Sequence, residues 1–70
     1  MNHENYKTVL YRQDDGSWVA DIPAIPGCYA LMATRDAALA ELAKVFAFIA
    51  EEYRSKGQAL PADTTEIINA

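Results

Sequence analysis

The sequence predicts a small two-layer α+β domain, an antiparallel sheet packed on one long helix in the order βββα or βββαβ. Three observations carry this. Two runs rich in β-branched and aromatic residues flank an Asp-Gly turn. A corner, "IPAIPGC", packs two prolines, a glycine and the only cysteine into a few residues. Behind it, Arg35 to Lys56 contains no Gly or Pro and repeats apolar residues at helical spacing.

The first strand is expected over Tyr6–Arg12, "YKTVLYR", whose imperfect alternation suits a half-buried pleat. "QDDGS" follows, with Asp15-Gly16 as the turn dipeptide, and "WVADI" supplies the second arm of a hairpin. Pro23 and Pro26 lack the N–H that a ladder needs, so pairing lapses there, and Gly27 permits a tight reversal. "CYALMA" then reads as a third strand.

Thr34 is placed as the N-cap of the helix, with Asp36 in the first turn favourable to the helix dipole. Leu39, Leu42, Phe46, Ile49 and Tyr53 form one stripe, widened by Ala38, Val45 and Ala50. Arg54 and Lys56 suit the C-terminal end, Glu52 and Lys56 are spaced for an i, i+4 pair, and Gly57 is positioned as the left-handed residue beyond it. Leu60 is expected to fold back onto the helix end. The tail "TTEIINA" is β-prone and supplies the optional fourth strand.

With 70 residues the chain is expected to form one domain, residues 1–70, whose core is small. Half of its residues are apolar, which excludes a disordered class and leaves apolar surface over for a partner or a second copy. A net charge of −4 with only 6 Lys and Arg disfavours direct binding of nucleic acid and suits a basic partner. A single cysteine excludes an internal disulfide and fits a reducing compartment. The absence of a leader-like apolar run or a long apolar stretch in the sequence gives a cytoplasmic, non-membrane expectation.

Catalytic chemistry is thin. His3 sits near the N-terminus, where fraying makes a poor general base. Cys28 has no base near it in sequence and reads as a small buried hydrophobe. Asp14, Asp15, Asp21, Asp36 and Asp63 are spread over turn, strand, helix and tail, so nothing brings them together as a metal site. No phosphate-cradling glycine loop or zinc spacing is present. By elimination the chain is a non-enzymatic binding module, without cofactor or metal.

Taken together, Asp15-Gly16, the strand Trp18-Val19-Ala20-Asp21-Ile22, the corner Pro23-Ala24-Ile25-Pro26-Gly27-Cys28, the helix start Thr34-Arg35-Asp36-Ala37-Ala38-Leu39 and the closing Gly57 with Leu60-Pro61 resemble the HicB family of antitoxins. The likeness covers nearly the whole chain. It implies a truncated RNase H-like fold and a role in binding and occluding a HicA-type toxin, a small basic ribonuclease. The fold name by itself implies no nuclease activity. Many members of that family carry a C-terminal DNA-binding domain, and none is expected within these residues. Ala24 stands where the family usually has Asp, "YALMA" replaces a polar segment, and Ala37 replaces the Glu of a capping box. Each change makes the surface more apolar.

The expected partner contacts are Trp18, Asp21 and Tyr29 with the turn acids Asp14 and Asp15. Phe48 lies well off the helical stripe and, with Ala37, Leu31 and Met32, is the expected contact of a homodimer or higher oligomer. Two further readings stay open. One is an orphan homo-oligomer, structural or binding a small molecule along the segment 29–33. The other is a residual nuclease, requiring Asp21 and at least two further carboxylates to converge.

Overall fold

The structure is a computed structural model and describes residues 5–68. Three short strands, β1 (Val9–Arg12), β2 (Trp18–Asp21) and β3 (Tyr29–Met32), form an antiparallel sheet in the order β1-β2-β3, followed by one helix, α1 (Arg35–Ser55). The helix packs on β3 and β2. The molecule is 16 Å across its thinnest dimension, which is room for one sheet and one helix and no third layer. No helix among the described residues is long and apolar enough to cross a membrane.

Side chains alternate across a strand, so the register decides which rows share a face. Leu10, Ala20 and Ala30 are cross-strand partners, and all three pack in or against the core under α1. Small residues on β2 and β3 let the helix approach closely. Tyr11, Val19 and Leu31 make the next row, and Val9, Asp21 and Tyr29 another; both belong to the opposite face.

The hairpin differs from a two-residue Asp-Gly turn. Gln13 N–H donates to the Ser17 carbonyl at 2.8 Å and Gly16 N–H to the Gln13 carbonyl at 3.0 Å, so Asp14, Asp15 and Gly16 form a three-residue loop. Only glycines have positive φ among the described residues, and Gly16 takes it at 91°. That conformation at the last loop residue is the bulged hairpin, not the mirror-image turn with two left-handed residues. The Asp15 carboxylate accepts from both the N–H and the hydroxyl of Ser17, which lowers its pKa, the hydroxyl contributing most.

The proline corner is a plug. Ile25 N–H donates to the Ile22 carbonyl and Cys28 N–H to the Ile25 carbonyl, each at 3.1 Å, giving two consecutive β-turns. Pro26 and Gly27 occupy the centre of the second, and Gly27, at φ 77°, supplies the left-handed residue such a turn needs after proline. Ile22 N–H closes onto the Cys28 carbonyl at 2.9 Å, which resumes the ladder. The result drives Ile22, Ile25 and Cys28 inward, all fully buried, while Pro23, Pro26 and Gly27 stay outside. The corner therefore supplies much of the core of a domain too small to build one from its strands alone.

Thr34 caps the helix as expected, its hydroxyl accepting from Ala37 N–H at 3.1 Å, a contact worth about 1 kcal/mol. Ala38, Leu42 and Phe46 are the buried positions, flanked by Leu39, Val45, Ile49 and Ala50. The helix ends one residue before Lys56. Gly57 N–H donates to Arg54 and Gln58 N–H to Tyr53, with Gly57 at φ 69°, the paired bonds of a Schellman cap. Leu60 folds back onto the core. Near the helix end the ion pair formed is Glu51 with Arg54, at i, i+3, in place of the expected Glu52–Lys56 pair.

Two strand expectations need correction. β1 starts at Val9 and not at Tyr6, because the preceding residues are engaged with the tail. The Tyr6 ring lies against Phe46 at 5.8 Å and its hydroxyl donates to the Pro61 carbonyl at 2.7 Å. Lys7 N–H donates to the Asp63 carboxylate at 2.7 Å, and Thr65 N–H donates to the other Asp63 oxygen at 3.0 Å. The tail forms no fourth strand among the described residues, being pinned by these side-chain bonds; Asn69 and Ala70 lie outside them, as does His3.

The Lys7 and Thr65 N–H groups hold the Asp63 pKa below its ordinary 3.8. The stabilisation is thus complete above that value and is lost as pH falls through the lower folded-state pKa. Acidification below about pH 3.8 is expected to release the tail before the core unfolds, seen as loss of the downfield Lys7 and Thr65 amide signals, and Asp63→Asn abolishes that acid step.

Candidate protein-interaction surface

The sheet has one face under α1 and one face with no element over it among the described residues. The open face carries Tyr11, Val19 and Leu31 in one row and Val9, Asp21 and Tyr29 in the next. Tyr11 is 48% exposed, Leu31 55% and Tyr29 60%, whereas Val19 between the first two is 8% exposed. Val19 is buried without belonging to the main core. This is a flat apolar patch with aromatic residues at its edges and a half-buried carboxylate, Asp21, inside it. Aromatic side chains offer large contact area at little entropic cost, and such patches mark protein-binding surfaces.

The expected contact residues divide between the faces. Asp21, Tyr29 and Leu31 lie together on the open face. Trp18 shares β2 with Asp21 but points the other way and packs partly against the core, which is its sheet-packing role. Met32, opposite Trp18 in the register, lies on the helix side at the edge of β3. Asp14 and Asp15 stand exposed at the hairpin tip, the far end of the strands from Asp21, and Asp15 is already engaged by Ser17. Ala37 is half-buried in the first helical turns, and Phe48 projects from α1 at 68% exposure. Sequence reasoning missed Tyr11 and Val19. Their signal is the spacing to the turn: a loop closed by Gln13 and Ser17 places Tyr11 opposite Val19.

Cys28 is fully buried, and burial, with the Asp21 charge as a lesser cause, raises its pKa. The thiol is held protonated, in the packing role its position suggests. No three His, Cys, Asp or Glu side chains among the described residues are grouped to hold a metal ion.

Two curated proteins are similar over 63 residues, 90% of this chain. A UPF0150 protein of Thermoplasma acidophilum is 27% identical across 91% of its own length. A UPF0150 protein of Synechocystis is 38% identical across 86% of its length. No protein-family model matches the chain. No solved structure matches it either.

Proposed function

Since the chain belongs to the UPF0150 family, we propose that it acts as a HicB-like antitoxin domain, binding and occluding a HicA-type toxin that cleaves messenger RNA. The observation that carries this reading is the open apolar face of Tyr11, Val19, Leu31 and Tyr29, with Asp21 set into it. A rigid sheet presents that face with little ordering cost on binding. The net charge of −4 speeds encounter with a small basic protein and disfavours competing anionic ligands such as RNA. The resemblance of the proline corner and the Thr34-capped helix to HicB antitoxins supplies the partner class.

The test is co-expression with a HicA-type toxin encoded in the same genome. The expected result is restored growth and co-elution of the two chains. A toxin that remains lethal, with no co-elution of the folded domain, overturns the proposal.

A further inference from the structure

We propose that two copies of this chain pair antiparallel through the free edge of β3, joining their three-stranded sheets into one continuous sheet. The two edges of the sheet are unlike. β1 ends in Arg12, and just ahead of it Lys7 is tied to Asp63 of the tail. β3 is Tyr-Ala-Leu-Met, with no charge and no proline, and its Tyr29, Leu31 and Met32 are exposed. Edges are ordinarily protected by charge, proline or cover, and an unprotected apolar edge is a template for another strand.

The backbone sets the register. Ile22 N–H bonds to the Cys28 carbonyl, so alternate residues Ala30 and Met32 also direct their backbone groups to β2. Tyr29 and Leu31 direct theirs outward. The Tyr29 N–H is already given to the Gly27 carbonyl at 3.2 Å. A dyad at Ala30 would need that N–H; a dyad at Leu31 does not. The Leu31 N–H and carbonyl then exchange bonds with the partner's Leu31, and the Tyr29 carbonyl accepts from the partner's Ala33. On the helix side Ala30 falls opposite the partner's Met32, a small residue against a large one.

The helices agree with this arrangement. α1 sits over β3 and β2. A helix centred between those strands lies about one strand spacing from the dyad, which puts the two helix axes ~9–10 Å apart, a normal packing distance. Phe46, on one flank of the buried stripe, meets Tyr6 on the β1 side. Phe48 lies outside the buried stripe and projects from α1 at 68% exposure. The occupant is a second copy, because an uncharged edge offers a basic partner nothing that the acidic surface elsewhere does not offer better.

Sedimentation velocity across a concentration series, on the chain alone, tests the pairing without reference to any toxin. The wild type is expected to run at twice the chain mass. Leu31→Lys and Leu31→Glu, each setting like charges directly opposite at the dyad, should weaken the dimer by about tenfold or more, and an equimolar mixture should restore it as a heterodimer. Circular dichroism verifies that both exposed-site variants fold. A wild type that stays monomeric, variants that dimerise like the wild type, or a mixture that fails to recover would each overturn the proposal.

Discussion

Replacing Ile25 with alanine is expected to destabilise the domain by about 2–5 kcal/mol, enough to leave a substantial unfolded population in a chain this small. Ile25 is fully buried at the hinge of two β-turns, held by its N–H to Ile22 and its carbonyl to Cys28. Those bonds fix the backbone, so the turn cannot close over the cavity that truncation leaves. Pro26→Ala, one residue on and exposed, should cost about 1 kcal/mol or less, since it mainly increases the freedom of the unfolded chain. Urea unfolding monitored by circular dichroism separates the two through the midpoint at constant slope. Equal effects would mean that the corner is a turn only and not a core element.

The largest functional effect is expected on the open face. Tyr11→Lys with Tyr29→Lys should weaken binding to a HicA-type toxin by about 100-fold or more, as for loss of two interface anchors. The changes remove two aromatic contacts and repel a basic partner. They should leave the fold nearly as stable as before, because both side chains are about half exposed or more and a lysine at 29 faces Asp21 across the strands. Phe48→Lys lies on the helix side and should leave toxin affinity unchanged. Calorimetric titration of each variant gives the comparison, and an unchanged affinity for the double variant would remove the open face from the interaction.

The helix and its two caps were legible in the sequence because their signals are local: Thr34 before an apolar stripe, and Gly57 after it. The corner was legible as a break in pairing, but not as a source of core, since nothing in "IPAIPGC" says which way its side chains point. The strand faces were harder to read. Both faces of this sheet carry apolar residues, so alternation alone does not say which one the helix covers. The hairpin register settles it, and the Asp-Gly dipeptide invites a slip of one residue. A two-residue turn at Asp15-Gly16 would set Tyr11 opposite Ala20; the observed loop sets it opposite Val19 and assigns it to the open face. An aromatic such as Trp18 suits either an interface or sheet packing on sequence grounds, and its parity with Ala20 places it on the core side. The tail failed as a strand because Tyr6 and Lys7 bind Pro61 and Asp63 through individual contacts. β-propensity registers no such contacts.

The most direct test of the antitoxin account is a side-chain NMR titration of the labelled chain with a HicA-type toxin from the same genome. The account predicts perturbation concentrated at Tyr11, Val19, Tyr29 and Leu31, with Phe48 and the Asp14–Asp15 tip unaffected. Perturbation confined to the outer face of α1 or to the hairpin tip, or none at saturating toxin, would contradict it.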